Sequence, residues 1–435
     1  MARRESSRSR VGLALAGGGP LGVIYEIGAL AALQDALPGL PLHALDGYVG
    51  VSAGALVATA LANGITPRQL AAAFIDGASG RRRRAPRGRG PFAGPKPLAR
   101  DGDPADRIDP ALFFHPAFGE FARRASHLPW LAAEALWRYV VQRRSALASL
   151  EALGSALPAG LFSSDALERR LRELLSHPGR SNDFRTLRTR LVLVATDLDS
   201  GQAMPFGRPG HDHVPVSVAA AASAALPGLF PPVMIDGRAY VDGALKKTLH
   251  ASVLLESGID LLFCLNPLVP FEAGSAQRGA TASAHGPIPS LVEGGLPLVL
   301  SQTFRSMIHS RLELGMKGYE TSHPGADIVL FEPDHHDPQL FLANIFSVSQ
   351  RARLAEHAYQ STRRRLRSQR SHLRQRLQRH GLALDDGALD DPARVLVAAP
   401  LRASQHALRR LEDVLADLEQ VLGRRDPSLA LQSPR

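Results

Sequence analysis

Val11-Gly12-Leu13-Ala14-Leu15-Ala16-Gly17-Gly18-Gly19-Pro20-Leu21-Gly22 is a short apolar run that breaks into three glycines, after which residues 21–33 read as a helix rich in small and apolar side chains. The sequence predicts a strand, a tight turn and a helix N-terminus. The same plan repeats at once. Residues 45–50 read as a strand and residues 53–62 as a helix, with Ser52 at the turn of Gly50-Val51-Ser52-Ala53-Gly54. Successive strand-turn-helix units predict an α/β chain with a mainly parallel sheet. Both turns then fall at the carboxyl ends of strands, where ligands of such sheets bind.

The two turns differ in what they offer a reaction. Gly17, Gly18, Gly19 and Gly22 leave backbone N–H groups aimed outward, because the first N–H groups of a helix lack intrahelical acceptors and glycine permits close approach. Such donors stabilise a developing oxyanion, each by roughly 2.7–4 kcal/mol in acyl transfer. In the second turn, Gly50 and Gly54 allow the sharp geometry of a nucleophile elbow, which pushes the Ser52 hydroxyl clear of its neighbours. Ala53 follows as a further candidate N–H donor. A serine hydroxyl needs a base, and Asp242 is the candidate. It follows Val233-Met234-Ile235-Asp236-Gly237-Arg238-Ala239-Tyr240-Val241, which reads as a hairpin with an Asp-Gly turn, and it precedes Gly243 and Ala244.

Taken in order, these three segments resemble the patatin-like phospholipases, serine lipid acyl hydrolases with a Ser-Asp dyad. The block Ala221-Ala222-Ser223-Ala224-Ala225-Leu226-Pro227-Gly228-Leu229-Phe230-Pro231-Pro232-Val233 is similar to the one leading into that family's catalytic aspartate. So are Leu157-Pro158-Ala159-Gly160-Leu161-Phe162 and the strand-like residues 191–199 with the turn after them. The resemblance covers residues 10–345, with gaps. It implies a three-layer α/β fold, Ser52 as nucleophile, Asp242 as proton acceptor, an oxyanion site at Gly17, Gly18, Gly19, Gly22 and Ala53, and phospholipase or lysophospholipase activity without cofactor or metal. Two positions depart from the family pattern. Leu21 stands where Arg or Lys is usual beside the last glycine, and Ala244-Leu245 stands where many relatives carry Asn-Pro.

Other readings stay open at this level. Gly17, Gly19 and Gly22 also satisfy the G-x-G-x-x-G fingerprint of dinucleotide-binding folds, which needs an acidic residue at the end of the second strand. Here Asp35 falls inside a helix and Asp46 at the start of the strand. An α/β-hydrolase with a Ser-His-Asp triad would place its nucleophile later and a histidine last. The later histidines, His250, His309, His323 and His357, sit in no such signature and are expected on the surface or on helix faces. A catalytically degenerate member that binds lipid surfaces is the non-enzymatic alternative, raised by Leu21 and the altered sequence after Asp242. His335 and His336, between Asp334 and Asp337, invite a metal reading that adjacent residues on a loop serve poorly.

Composition sets the frame. The chain has 435 residues, 45% of them hydrophobic, enough for a large α/β domain with an extension. Cys264 is the only cysteine, so no internal disulfide forms. The formal charge is +10, mostly arginine, concentrated at Arg81-Arg82-Arg83-Arg84 and across residues 351–379. Expected organisation is a hydrolase domain over residues 1–350, with an Arg-rich and helical insertion at about 78–156 that carries Trp130, Trp137 and Tyr139, then a basic helical extension over residues 351–435. Within the extension, Leu354, Ala358, Leu366, Leu373 and Leu377 suggest one amphipathic helix, and Leu408, Leu411, Leu415, Leu418 and Leu422 a second. The apolar start after Arg3, Arg4, Arg8 and Arg10 mimics a signal peptide, but its glycines, Pro20 and Glu26 speak against a membrane span. A cytoplasmic location is expected, with peripheral contact to anionic membranes as the functional reading of the arginine cluster and a solvated basic loop as the plain one. Nothing resembling a nucleic-acid reading element accompanies the charge.

Overall fold

The computed structural model describes residues 8–76, 160, 162–272, 291–292, 295–341 and 348–397. The insertion expected at 78–156, with its arginines and aromatic residues, and the second helix of the extension lie outside these described residues. The strands are β1 (Val11–Leu15), β2 (Gly47–Val51), β3 (Arg190–Asp197), β4 (Ala203–Phe206), β5 (Val233–Ile235), β6 (Arg238–Asp242), β7 (Leu261–Leu265) and β8 (Asp327–Phe331). The helices are α1 (Gly19–Ala36), α2 (Ala53–Ala62), α3 (Pro67–Asp76), α4 (Ser164–Leu175), α5 (Val216–Ser223), α6 (Ser252–Leu255), α7 (Gly295–Ser322), α8 (Pro338–Phe341), α9 (Val348–Ser368), α10 (Arg370–Arg379) and α11 (Asp386–Asp390).

Five strands run parallel in the order β8-β7-β1-β2-β3. β1, β2 and β7 are buried at every position, as strands covered on both faces must be. Alternation then sorts their side chains into two cores. Leu13, Leu15, Tyr48, Leu193 and Phe263 face α1, α2 and α9, whereas Ala14, Val49, Val51, Val194 and Cys264 face α6 and the Leu312 and Tyr319 side of α7. This is a three-layer α/β architecture around a mainly parallel sheet, with antiparallel strands added at one side.

Those additions create the site. Val194 of β3 pairs with both Val51 and Pro205, so β2 and β4 lie on opposite edges of β3. Ala195 pairs with both Met204 and Asp242, so β4 and β6 are also on opposite edges. β2 and β6 therefore share one edge. β2 runs up it to Val51, and β6 comes down the same edge to Asp242, one residue further along β3. The hairpin delivering β6 turns at Asp236 and Gly237, with φ of 50° and 77°, between the paired residues Ile235 and Arg238. Two left-handed residues are the demand of a two-residue hairpin turn, and Asp-Gly meets it.

Helix α9 lies along α1. Gly28 makes the approach possible, since a Cβ there would stand 2.5 Å from the Ala355 carbonyl oxygen. Tyr359, further along, is buried against Ala31 and Ala32 and donates its hydroxyl to Asp35. The domain boundary expected at 350/351 thus falls inside a helix packed on the core, and one compact unit extends to Leu396. Leu354, Ala358, Leu366, Leu373 and Leu377 are all buried. Several of the neighbouring arginines donate to backbone carbonyls of other segments. Arg363 reaches Ala388, Leu389 and Asp391, Arg365 reaches Glu332, and Arg376 reaches Ile328.

Candidate functional site

Ser52 sits between the end of β2 and the start of α2 with φ 54° and ψ −119°, a backbone region that side chains rarely adopt. Holding a serine there costs of the order of 1–3 kcal/mol, so its surroundings must over-determine it. They do. Gly50 and Gly54 allow the close packing, for a Cβ on Gly50 would stand 2.5 Å from the Gly54 carbonyl oxygen and one on Gly54 2.4 Å from that of Leu15. Ser223, at the end of α5, accepts the Ser52 N–H at 2.9 Å and donates to the Val194 carbonyl at 2.6 Å. This buried clamp escaped the sequence reading, although Ser223 stands in the small-residue block before Asp242.

Asp242 ends β6, buried, where that strand meets the end of β2. The Ala244 N–H donates to Oδ1 of its carboxylate at 2.8 Å, and the Ser52 side chain is near enough to lower the pKa of that carboxyl. The Asp242 backbone is tied on both sides, by Thr196 Oγ1 to its carbonyl at 3.1 Å and by its N–H to the Ala225 carbonyl at 2.9 Å. Burial raises the Asp242 carboxyl from its ordinary value to about 6, against the lowering pull of Ser52 and of the Ala244 N–H. Gly243 passes so close to β3 that a Cβ would meet the Val194 carbonyl oxygen at 2.1 Å.

The glycine turn lies beside the pair. A Cβ on Gly17 would stand 3.0 Å from Ala244 Cβ and 3.2 Å from Ser52 Cβ. Gly19 has φ 58° and begins α1, and the N–H groups of Gly18, Gly19 and Ala53 have no intrahelical acceptor. Pro267, following β7, packs on Gly18 and Gly22 from the far side. Leu21 is half-buried against the core. The segments expected to form one site are brought together: Gly17, Gly18, Gly19 and Gly22, then Gly50 to Gly54 around Ser52, then Asp242, Gly243 and Ala244.

Ser52 opens into an apolar pocket walled by Pro20, Val23, Ile24, Leu56, Phe74, Leu167, Leu229 and Phe230. Leu226 stands half-exposed in its wall. Arg351, buried at the start of α9, is the charged residue among the lining residues. A second apolar cavity shares Leu56, Phe74 and Leu167 with this pocket. Neither Arg351 nor the division of the two cavities was legible in the sequence.

The sequence profile described as Patatin-like phospholipase matches residues 13–255, more than half of the chain. The chain belongs to the patatin-like phospholipase family. Membership implies lipid acyl hydrolase activity, and the matched span contains the glycine turn, Ser52 and Asp242. Among solved structures, this patatin-like chain is similar to VipD from Legionella pneumophila, at 16% identity and a TM-score of 0.33, over 83% of this chain and 67% of that one.

Residues that competing readings required lie elsewhere. Asp46 accepts the Val11 N–H at 2.7 Å, at the amino ends of β1 and β2 and so across the sheet from the glycine turn. Asp35 is bound to Arg68 and Tyr359. His250, expected on a surface or helix face, is buried instead. Burial and Lys247 push its imidazole down to about 4, against a hydrogen bond with the Gly243 backbone, so it is neutral at pH 7. His323 bonds the Ser322 hydroxyl and His357 pairs with Asp337. Among the described residues no helix is long and apolar enough to cross a membrane.

Proposed function

We propose that this chain cleaves carboxylic ester bonds of phospholipids or lysophospholipids through a Ser52-Asp242 dyad. The observation that carries the reading is a serine in a strained elbow, beside a buried carboxylate with a raised pKa, at the mouth of an apolar pocket. The acyl chain occupies the apolar pocket. Ser52 Oγ attacks the ester carbonyl carbon while its proton passes to Asp242. The N–H groups of Gly18 and Gly19, with Ala53, receive the oxyanion. Collapse of the tetrahedral intermediate expels the alcohol, which takes the proton from Asp242 and leaves an acyl-Ser52 ester. Water, giving its proton to Asp242, attacks that ester, and Asp242 returns the proton to the departing Ser52 oxygen as the fatty acid is released.

Three features support this assignment. A carboxylate raised to about 6 is a stronger base than an ordinary aspartate while still ionised at neutral pH. The single bond from Ala244 leaves Asp242 able to take the proton of Ser52. Arg351 supplies a cation to the pocket, although the usual cation of the glycine motif is replaced by Leu21. A fluorophosphonate probe tests the reading directly. Wild type is expected to label at Ser52, with labelling lost in Ser52→Ala and strongly slowed in Asp242→Asn. Lipid profiling with wild type and Ser52→Ala then identifies the ester cleaved. Equal turnover of a phospholipid by both proteins would sink the proposal.

A further inference from the structure

Beyond the carboxyl end of β8, two imidazoles and a carboxylate converge that the hydrolytic site does not use. Glu332 follows β8 directly, His335 comes three residues later, and His309 projects from α7. One donor atom from each lies within 4.8 Å of the other two. His309 Nδ1 is 3.7 Å from Glu332 Oε1, and the His309 and His335 rings meet edge to face with centroids 4.9 Å apart. Nδ1 of both histidines is buried without a hydrogen bond. Leaving a buried polar atom unsatisfied costs about 1–3 kcal/mol, so two such atoms beside one carboxylate call for a physical reason.

A shared ion supplies it. Around a tetrahedral ion with bonds of about 2.0–2.1 Å, donor atoms stand about 3.3 Å apart, so the 3.7 Å separation needs only a small side-chain adjustment. The neighbours hold the donors in the manner of ligand supports. Asn266 Nδ2 donates to Glu332 Oε1 at 2.8 Å, and Asn266 Oδ1 accepts the Leu268 N–H at 3.2 Å, which fixes the amide orientation. His309 Nε2 faces Glu313 Oε1 at 3.6 Å, and a carboxylate behind a ligating imidazole orients the ring and raises its basicity. Glu272 Oε1 stands 3.8 Å from His335 Nδ1 but outside the three-residue group, so a fourth position is left to water. Among the nearby arginines, Arg305 donates to the Val269 carbonyl and Arg365 to that of Glu332.

We infer that His309, Glu332 and His335 form a binding site for a divalent transition-metal ion of the zinc class, tying α7 to the carboxyl ends of β7 and β8. Two imidazoles and one carboxylate suit zinc, whereas calcium and magnesium prefer all-oxygen sets. The adjacent His336 takes no part, because its Nδ1 turns to the Glu272 carbonyl at 2.8 Å. The role is structural, and its link to the glycine turn is short. Asn266, which holds Glu332, precedes Pro267, which packs on Gly18 and Gly22.

Calorimetric titration of untagged, chelator-stripped full-length protein with zinc chloride near neutral pH is expected to show one tight equivalent. Supporting partners typically matter 10–100-fold, so loss of a ligand in His309→Ala or His335→Ala is expected to weaken binding by about a hundredfold or more. Glu332→Gln, nearly isosteric, is expected to weaken it by about tenfold or more, and His336→Ala to leave it unchanged. Cobalt loading of wild type should give the visible absorption bands of a four-coordinate site, a measurement that needs no variant to fold. Failure of wild type to bind zinc stoichiometrically, absence of the cobalt bands, or wild-type affinity in either histidine variant overturns the inference.

Discussion

Acid should switch the enzyme off through Asp242, in a pH range where an ordinary aspartate would stay ionised. With the carboxyl at about 6, roughly nine-tenths of it is ionised at pH 7 and roughly one-tenth at pH 5. If Asp242 is the base for Ser52, kcat/KM for a soluble ester falls about tenfold between those two pH values. An aspartate at its ordinary value would lose only about 6% of its ionised form over the same interval. The assay is a stopped measurement of fatty-acid release across pH 4.5–8 at constant ionic strength, with each sample returned to pH 7 to show that losses are reversible. The same group affects folding with a definite sign. A buried acid whose folded pKa is raised is favoured in its protonated form, so its cost is absent below the unfolded value and fully present above the folded one. At pH 7 that cost is of the order of 3 kcal/mol, and Asp242→Asn is expected to unfold at higher urea than wild type while losing activity. An acid limb centred near pH 4, with the chemical step shown to limit the rate, would refute the reasoning.

Ser223→Ala removes an acceptor for the Ser52 N–H and a donor to the Val194 carbonyl; unfolding by urea should show a loss of about 1–3 kcal/mol, and kcat should fall while KM changes little. Phe74→Ala removes a wall shared by the two apolar cavities, and competition between short and long acyl esters should shift toward longer chains. Glu26 is buried in α1 with no hydrogen bond to either carboxylate oxygen among the described residues, and burial raises its carboxyl well above the ordinary range. Its cost to folding appears as pH rises through the unfolded carboxylate range toward its folded pKa, so the stability advantage of Glu26→Gln should widen over that window in urea titrations.

Local chemistry made much of this fold readable. Apolar runs ending in glycine gave β1 and β2 to within a few residues, and helix α2 occupies the expected Ala53–Ala62. Asp236-Gly237 marked the hairpin because few residue pairs accept two left-handed conformations in succession. The meeting of Ser52 with Asp242 has another origin. It depends on β2 and β6 sharing an edge of β3, a long-range pairing that no local period encodes, and only the family resemblance pointed to it. The buried stripe of α9 was visible as a pattern, but a pattern says which face is covered and not by what, so its packing on α1 and the placement of Arg351 were not legible. Ser223 was hidden for a related reason. A serine among alanines looks like filler until a backbone N–H and a carbonyl are found on either side of its hydroxyl.

Strand β3 acts as a ruler for the chemistry. Val51, just before Ser52, and Asp242 are registered on its consecutive residues Val194 and Ala195, so the strand sets how the two segments meet whatever the length of the chain between them. Insertions between those segments can be lengthened, shortened or exchanged, and the pocket walls re-shaped, without changing how Ser52 and Asp242 stand beside each other. A single deletion inside β3 has the opposite effect. It shifts the pleat by one position, and the two groups part company even though neither has been altered.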